Sequence, residues 1–342
     1  MPEKTVRGRR KTGPSIEDVA RLAGVSAQTV SRVSTGSESV RPATRERVLT
    51  AMDRLGYSPN RAARALRSGT FATIGLIAHR FERTGEALTT EAIVEAAESE
   101  GHSVTLLHVR NTEADTWRNA ANRLSDQAID GLIIIRAEGA TPESLSLPAG
   151  LPVAVADSRL LGHYPAVMAD QLQGSHDAVR HLLDLGHRTV HHLAGPADSD
   201  PAALRAAAWQ RCLSEAGIPA PQLWRGDWTA ASGYTVGQQL AADPSVNAVY
   251  CANDEMAFGL IRALHEAGRR VPQDVSVVGF DDIALSGYSS PPLTTVRQDF
   301  RVIGHELVRL VLDQLRGTPG VGDRVVVPTQ LLVRGSTAPP AS

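Results

Sequence analysis

The chain has 342 residues, 42% of them hydrophobic, which is enough for a small domain and two medium-sized folded units. Its two cysteines exclude a disulfide framework and a cysteine-rich zinc cluster, and no apolar run approaches the length of a membrane span. The formal net charge of −2 conceals an uneven distribution, because residues 1–70 hold 14 Lys and Arg against 6 Asp and Glu, whereas the remainder holds 21 against 31. A basic arm on an acidic body is typical of a nucleic-acid-binding protein.

The N-terminal segment, residues 1–14, is predicted to be a disordered basic leader. It either attracts DNA phosphates nonspecifically or forms a solvated tail without a function. No apolar signal core follows it, so we expect a cytoplasmic protein. The cations of this leader are Lys4, Arg7, Arg9, Arg10 and Lys11.

Residues 15–58 show the periodicity of three short helices, the third from about Thr44. Gly24 ends the first helix, and Ser26 is a suitable N-cap for the second because its hydroxyl can accept a bond from an N–H one turn further on. Val30 and Val33 are predicted to turn inward from the second helix. Two short amphipathic helices joined by a glycine turn are typical of a helix-turn-helix. The apolar positions of the first and third helices are Ile16, Val19, Ala20, Ala23, Val48, Met52 and Leu55.

The order of short motifs in this region resembles the lactose/galactose repressor family of bacterial transcription factors. The motifs are A-x-x-A-G-V-S-x-x-T-V-S-R-V-S, then T-R-x-x-V, then L-G-Y-x-P-N-x-x-A-R-x-L. The match is long and ordered, and the alternative is a generic small helical bundle. The resemblance implies a DNA-binding headpiece.

The second helix carries the residues predicted to read DNA. Recognition helices present side chains to base edges in the major groove, and Gln28 and Arg32 lie one helical turn apart on the predicted outer side. Ala27, beside them, stands where lactose-responsive members of the family carry a tyrosine, so we expect a different operator sequence. Predicted contacts to the DNA backbone, which orient a protein without reading sequence, are Ser15, Ser26, Thr29, Ser31, Thr44 and Tyr57.

Residues 59–70 are predicted to be a hinge helix and linker. Pro59 suits a first helical turn, yet the nine residues from Pro59 to Arg67 are too few for a stable isolated helix. The resemblance implies that this segment folds on DNA in the minor groove, with Leu66 as an apolar wedge between base pairs. The alternative for Leu66 is an ordinary linker residue. The predicted minor-groove set is Asn60, Arg61, Ala63, Arg64 and Leu66.

From Phe71 onwards short apolar strands alternate with helices, which favours parallel sheets covered on both faces. Two sets of strands predict two lobes, the first over residues 72–169 and 300–327 and the second over 170–297 and 328–336. Residues 337–342 are predicted to be a disordered tail. Predicted strands cover residues 73–78, 103–109, 131–135, 152–156, 189–194, 248–251 and 275–280. Predicted helices cover residues 86–100, 113–127, 174–185, 201–216, 230–241 and 254–267.

Ligands of open parallel sheets bind beyond the carboxyl ends of the strands. The residues at that position are His79, Asp157, Gly195, Asn253 and Asp281. Carboxylates and amides can accept from and donate to several hydroxyls at once, which is what a sugar requires. Trp228 offers an apolar face to a pyranose, and the planar fork of Arg205 can bridge adjacent hydroxyls.

The resemblance to the lactose/galactose repressor family extends over this body, especially to the lactose-type sensor domains. It is carried by G-H-R-x-V-x-x-L-A-G-P, A-L-R-A-A-A-W, G-D-W-T-A-A-S-G-Y, A-N-D-E-M-A-F-G, D-V-S-V-V-G-F-D-D and P-P-L-T-T-V-R-Q-D-F. It implies a two-lobe core like that of periplasmic binding proteins. The stretch from Ala78 to Thr89, with His79, Arg83 and Glu86, and Ala169 depart from the lactose-type pocket wall. The positions that the resemblance assigns to the effector are Asp157, Arg205, Trp228, Asn253, Asp281, Gln298 and Phe300.

Simpler interpretations of these polar residues remain open. Any of them can be a helix N-cap or a satisfied buried group, and Asp254 is the clearest case because it opens a helix. Asp281 and Asp282 could be a general acid and base, but adjacent side chains point apart and no third group supports them. Trp209 and Phe258 are most simply core residues. A metal site is not expected at His181, His187, His191 and His192, because the last two alternate in a strand.

The combined prediction is a headpiece of three helices with a hinge helix, attached to a two-lobe α/β core with parallel sheets. We expect a sequence-specific repressor of sugar-utilisation genes, released from a palindromic DNA operator by a galactoside or related glycoside. The resemblance implies that a tetramer needs a C-terminal leucine-heptad tail, and the C-terminal end here has no leucine heptads, so a homodimer is expected and a tetramer is not. No cofactor or metal is expected. Whether the sugar acts as inducer or corepressor stays open.

Two other classes of protein share parts of this pattern. A secreted sugar receptor shares a two-lobe body but needs an export signal and has no use for residues 15–66. A sugar-converting α/β enzyme needs a nucleophile, a metal site or a phosphate loop, and the motifs G-x-x-x-x-G-K-[ST], H-E-x-x-H and G-x-S-x-G are all missing from the sequence. The sequence therefore favours a regulator over an enzyme.

Overall fold

A computed structural model describes residues 13–34, 37, 39–58, 69–79, 81, 83–109, 119–120, 123, 128–135, 145, 147–156, 160, 162–318 and 324–341. The chain divides into two units at residues 71 and 72, and each is described by itself. Most of the predicted basic leader, all five predicted minor-groove residues and Asp157 lie outside the described residues.

The first unit, the headpiece, contains helices α1 (Ile16–Ala23), α2 (Ala27–Ser34) and α3 (Pro42–Leu55). Helix α3 begins two residues before the predicted Thr44, because the ring of Pro42 sets the backbone angle of a first helical turn. The turn between α1 and α2 needs Gly24, whose φ of +65° is left-handed, and the Val25 N–H donates to the Ala20 carbonyl across it. The predicted helix-turn-helix is therefore confirmed.

The headpiece core is built from the predicted apolar stripes. Val19, Val30 and Val48, one from each helix, are completely buried, whereas Ile16 and Leu55 pack at the edge and are only partly buried. Ser15 closes a capping box with Asp18, since each side chain accepts the backbone N–H of the other residue, at 3.3 and 3.0 Å. The Ser15 hydroxyl, predicted to contact a phosphate, thus already has a local role in starting α1.

The second unit contains two six-stranded sheets, one in each lobe. The strands of the first sheet are β1 (Thr73–Ala78), β2 (Ser103–His108), β3 (Gly131–Ile135), β4 (Val153–Ala156), β5 (Ala166–Ala169) and β11 (Arg324–Val327). Those of the second are β6 (His191–Ala194), β7 (Leu223–Arg225), β8 (Ala248–Cys251), β9 (Ser276–Asp281), β10 (Thr294–Arg297) and β12 (Gln330–Leu332). Their spatial orders are β11-β5-β4-β3-β1-β2 and β12-β10-β9-β8-β6-β7. The pairings are parallel, as predicted, except that β12 runs antiparallel to β10.

Helices cover these sheets. They are α4 (Thr84–Ser99), α5 (Gln171–Asp184), α6 (Asp200–Glu215), α7 (Ala230–Ala242), α8 (Asp254–Glu266) and α9 (Phe300–Leu315), with a 3₁₀ turn at Ala284–Gly287. Helices α4 and α9 pack together over the first sheet. Helices α7 and α8 cover one face of the second sheet, and α5 and α6 the other. Trp209 and Phe258 pack in the second lobe, as predicted, with Trp209 completely buried.

The chain passes between the lobes three times, after β5, after β10 and after β11. These passages lie beside Asp170, Gln298 and Pro328, where crossings were predicted. The prediction did not include strands β5, β7, β10, β11 and β12, which have three or four residues and carry little periodicity. It also did not include the 16-residue helix α9. Most of the predicted helix over residues 113–127 lies outside the described residues.

The predicted disordered tail is corrected by the structure. Thr337 is hydrogen-bonded to His181, and the Ala338 carbonyl accepts from His187 Nε2 and from the hydroxyl of Ser276, at 2.9 to 3.0 Å. Tertiary partners therefore order a segment whose Pro, Ala and Ser content alone suggested disorder. The same bonds explain two of the histidines that were considered for a metal site, and the described residues contain no group of three metal ligands.

The other two histidines occupy β6 with alternating exposure. His192 is completely buried and stacks on Tyr250 with ring centres 4.6 Å apart. Burial lowers the pKa of His192 to about 3, so its ring is neutral at physiological pH. Among the described residues, none of the helices combines the length and apolar character that crossing a bilayer requires.

Candidate functional site

The outward face of α2 is the candidate DNA-reading surface of the headpiece. Gln28 and Arg32 are exposed on this face, whereas Val30 and Val33 on the other face are buried. Ala27 and Ser31 are half-buried beside them. The short helix is held by core contacts on one side, so it presents an amide and a guanidinium on the other, one turn apart.

Two of the predicted backbone contacts, Ser26 and Thr29, lie at the start of α2. The Ser26 hydroxyl accepts the Thr29 N–H at 3.2 Å and lies 3.0 Å from the Thr29 hydroxyl, which confirms Ser26 as the N-cap. Thr44 lies half-buried in the first turn of α3, and Tyr57 lies half-buried just after its end. Their contacts with DNA remain predictions.

A cavity of about 240 Å³ lies between the two lobes of the second unit. The first lobe contributes the start of α4, and the second lobe contributes the ends of its strands and the starts of α7 and α8. Its lining residues are Arg83, Thr84, Gly85, Arg205, Asp227, Trp228, Thr229, Ala230, Asn253, Glu255 and Asp281. Four predicted effector residues, Arg205, Trp228, Asn253 and Asp281, are therefore brought together although up to 76 positions separate them in the sequence.

Arg205, on α6, is almost completely buried at 1% exposure. Its Nε donates to the Gln171 side chain at 2.7 Å, and its Nη1 donates to the Ala252 carbonyl and lies 3.7 Å from the Asp281 carboxylate. The guanidinium also lies 3.7 Å above the centre of the Phe280 ring. Burying a cation is costly unless such partners compensate for the water that it loses. The side chain is thus fixed before any ligand arrives.

A ring of side-chain bonds extends this arrangement to the crossing between the lobes. The Gln298 amide donates to the Asp281 carboxylate at 2.5 Å, and Gln171 donates to Gln298 at 3.2 Å. Because Gln171 also accepts from Arg205, the four side chains form a closed circuit. Gln298 therefore supports Asp281 from behind and does not itself line the cavity.

Two cavity residues have strained backbones. Trp228 has a φ of +77° and Asp281 has a φ of +117°. Residues other than glycine rarely adopt positive φ values of this kind. Each such residue costs about 1–3 kcal/mol and persists where its surroundings over-determine it. Both residues line the cavity, so the backbone strain lies at positions that form the candidate binding site.

Asn253 is both the N-cap of α8 and a cavity residue. Its side-chain oxygen accepts the Met256 N–H at 3.0 Å, and its amide donates to the Trp228 carbonyl and to Glu255, at 3.0 and 2.8 Å. The Trp228 ring in turn packs on Gly195, where a β-carbon would lie 2.5 Å from the ring. Gly195, predicted at a strand end, thus makes room for the indole.

Asp254, the clearest N-cap candidate in the sequence, has another role. It is completely buried and accepts bonds from the Ser286 and Thr295 hydroxyls and the Ile283 N–H, at 2.6, 2.5 and 3.0 Å. Burial, reinforced by the charge of Asp281, raises the pKa of Asp254 to about 8. The capping group is Asn253, one residue earlier, and Asp254 anchors the 3₁₀ turn to α8.

Two further predicted effector residues do not line the cavity. The His79 side chain is buried, and the backbone N–H of His79 donates to the Glu86 carboxylate at 3.3 Å. Phe300 begins α9 and packs in the core of the first lobe. The lining residues that were not predicted from the sequence are Thr84, Asp227, Thr229 and Glu255. The sequence indicates two of them only weakly. Glu255 lies two residues after Asn253, and Thr84 lies within residues 78–89, where the sequence differs from the lactose-type pocket wall.

Comparisons with known proteins agree with both units. Residues 15–60 match the family described as "Bacterial regulatory proteins, lacI family", and residues 179–337 match "Periplasmic binding protein-like domain". The chain is 34% identical to the HTH-type transcriptional regulator CelR of Thermobifida fusca, over 96% of this chain and 99% of that protein.

Two solved structures extend these similarities. A lac repressor dimer bound to operator and the anti-inducer ONPF has a TM-score of 0.85 at 34% identity, covering 96% of this chain and all of that one. A CelR–cellobiose complex has a TM-score of 0.71 at 31% identity, covering 94% and 99%. The similarity therefore spans the headpiece and the core together.

Proposed function

Because the chain belongs to the lacI family of bacterial regulatory proteins, we propose that it represses transcription from an operator and that a small neutral sugar bound between its lobes controls this. The protein is a DNA-binding transcriptional regulator and not an enzyme. The observation that carries the effector proposal is the cavity that unites Arg205, Trp228, Asn253 and Asp281.

The chemistry of these four residues suits a sugar. A carboxylate accepts from hydroxyls, an amide both accepts and donates, and a guanidinium donates through a planar fork. The Trp228 indole supplies an apolar face, and its Nε1 is buried without a hydrogen-bond partner in the described part of the chain. A ligand hydroxyl would satisfy that donor.

The charges of the lining favour a neutral ligand. Two arginines, Arg83 and Arg205, face three carboxylates, Asp227, Glu255 and Asp281, and the buried Glu86 lies 3.7 Å from Arg83. A phosphate or carboxylate ligand would therefore meet no excess of positive charge. The volume of about 240 Å³ is slightly below the range of about 300–1,000 Å³ typical of drug-sized ligands, which favours a small molecule.

Within this class a galactoside is our first choice and a β-glucoside the second. The solved CelR complex contains cellobiose, a β-glucoside, which supports including that class. In the proposed mechanism a homodimer in the cytoplasm holds a palindromic operator, and the sugar changes the arrangement of the lobes. This shifts the population of the hinge at residues 59–70 between ordered and disordered states.

A ligand screen with the full-length protein tests this function. Thermal unfolding is measured with galactose, lactose, methyl β-D-galactoside, cellobiose, glucose 6-phosphate and a purine base, followed by operator gel shifts with each hit. A neutral sugar at a hundred times its Kd should add about 2.7 kcal/mol to the free energy of unfolding and change operator affinity. Stabilisation by the phosphate or the purine alone would overturn the proposal.

Arg32→Ala is expected to weaken specific operator binding by about 1–3 kcal/mol, the usual contribution of one good base contact. Gln28→Ala should have a similar effect at a different base pair. Fluorescence anisotropy with the operator and with scrambled DNA measures both. The matched control is Arg21→Ala, since Arg21 is an exposed arginine on α1 paired with Asp18. Equal losses on operator and scrambled DNA would assign Arg32 to the phosphate backbone instead.

Leu66→Ala tests the hinge. A wedge that opens a base step loses its apolar surface in this variant, so specific operator affinity should fall about tenfold while sugar affinity is unchanged. Gel shifts measure the operator affinity, and isothermal titration calorimetry measures the sugar affinity. Unchanged operator affinity would contradict the hinge proposal and favour the ordinary linker interpretation.

A further inference from the structure

A hydrogen bond spans the cleft between the two lobes. The hydroxyl of Thr84, the first residue of α4 in the first lobe, donates to Glu255 Oε1, in the first turn of α8 in the second lobe, at 2.5 Å. The two residues are 171 positions apart in the sequence and both line the cavity. The acceptor is a carboxylate, so the bond belongs to the stronger class of hydrogen bonds.

The half of this contact in the second lobe is rigid. Glu255 Oε2 accepts from the Asn253 amide at 2.8 Å, and Asn253 also holds the Trp228 carbonyl. The neighbouring Asp254 is anchored by three hydrogen-bond donors. Glu255 is therefore aimed at the cleft by the start of a helix that cannot shift without breaking these bonds.

The half in the first lobe is also fixed. Arg83 and Glu86 flank Thr84 and lie 3.7 Å apart, and Glu86 is completely buried where it accepts the His79 N–H. Further along α4, a β-carbon at Gly304 of α9 would lie 2.5 Å from the Ala92 β-carbon, so the two helices are in close contact. Any opening of the cleft at this end therefore has to break the bond between Thr84 and Glu255, because neither residue can follow the other lobe.

We propose that Thr84 and Glu255 form a clasp that stabilises the closed arrangement of the lobes, and that Glu255 is thereby a positioning residue for Asn253 and Trp228. The clasp transmits lobe closure to the cavity through a continuous series of hydrogen bonds, from Thr84 to Glu255, Asn253 and the Trp228 backbone. Its effect on ligand affinity rests on the proposed function, whereas its effect on lobe separation does not.

The distance between the lobes is measured in the full-length protein by double electron–electron resonance between two spin labels. Glu98→Cys on α4 and Gln239→Cys on α7 place one label on an exposed position of each lobe. The native thiols of Cys212 and Cys251 are buried, which raises the pKa of each, so they do not compete for the label. Labelled chains are diluted with unlabelled protein so that distances within one chain dominate.

Thr84→Val removes the donor with little change in shape, and Thr84→Ser keeps it. In the Val variant the distance distribution should broaden towards longer values, and in the Ser variant it should match wild type. Glu255→Ala should broaden the distance distribution as Thr84→Val does. The double variant Thr84→Val/Glu255→Ala should show no longer distances than either single variant. Circular dichroism checks that each variant is folded. An unchanged distance distribution in Thr84→Val would overturn the clasp.

The second arm measures affinity for methyl β-D-galactoside and for cellobiose by calorimetry. For whichever sugar binds wild type, Thr84→Val should weaken binding about tenfold, as expected for loss of a hydrogen bond to a charged group, and Thr84→Ser should restore it. If neither sugar binds wild type, the effector proposal fails for both while the distance measurement still decides the clasp. Normal affinity together with an opened cleft would overturn the positioning role of Glu255.

Discussion

Arg205→Ala should abolish release of the operator by the sugar while leaving operator affinity at its wild-type value. The variant loses the donors to Gln171 and Ala252 and leaves the Asp281 carboxylate buried without its cation. Removing one partner of a buried ion pair typically costs about 3–5 kcal/mol. Sugar affinity should therefore fall at least a hundredfold, as measured by calorimetry and by operator gel shifts over a sugar titration.

Part of that free energy is lost from folding as well as from binding. Arg205→Lys keeps a cation near Asp281 but lacks the fork, so it should melt closer to wild type and still bind sugar at least tenfold more weakly. The matched control is Arg211→Ala on the same helix, because the Arg211 side chain is 54% exposed and its nearest carboxylate, Glu215, lies 3.9 Å away. A folded Arg205 variant that responds to normal sugar concentrations would remove Arg205 from the site.

Gly259→Ala should destabilise the second lobe by at least about 3 kcal/mol, at the upper end of the usual cost of overpacking. A β-carbon at Gly259, in α8, would overlap the Ala230 carbonyl and lie 2.5 Å from the Tyr234 amide nitrogen, both in α7. Backbone atoms of a packed helix cannot rotate aside as a side chain can, so α7 and α8 have to separate. The melting temperature should fall by roughly 6 °C or more, since each kcal/mol shifts a domain of this size by about 2–4 °C.

The same substitution should also weaken sugar binding. Trp228 lies two residues before α7 and Asn253 one residue before α8, so separation of the helices moves both away from their common hydrogen bond. Gly287→Ala is the control, because no heavy atom lies within 4 Å of a β-carbon there and its φ is not left-handed. A wild-type melting temperature in Gly259→Ala would show that α7 and α8 pack less closely than the structure has them.

The headpiece was predictable because its determinants are local. The apolar stripe of α1, the left-handed Gly24 and the Ser26 cap all act within one or two helical turns, and the structure has each of them in the expected role. The strands at residues 73–78, 131–135 and 248–251 were equally predictable, because buried parallel strands are continuous apolar runs in the sequence. Polar residues at their ends then pointed to the edge where the cavity lies.

The cavity itself was only partly predictable. Asn253 and Asp254 are adjacent polar residues at a helix start, and the sequence contains nothing that distinguishes the cap from the buried anchor. His79 directly follows a strand and Asn253 lies two residues after one, yet His79 is buried away from the cavity lining, with its backbone N–H bonded to Glu86. The order of residues 337–341 likewise depends on partners, such as His187, about 150 positions earlier.

By itself the sequence determined the class of protein, a headpiece of local helices followed by a two-lobe α/β sensor, because helical periodicity, caps, buried strands and motif order are properties of short segments. Only the tertiary structure decided which polar groups meet. Arg205, Gln171, Gln298 and Asp281 close into one circuit, and Thr84 reaches Glu255 across the cleft, because the chain crosses between the lobes and brings distant helix starts and strand ends together. Contacts between residues so far apart in the sequence depend on tertiary packing, which no local sequence pattern specifies.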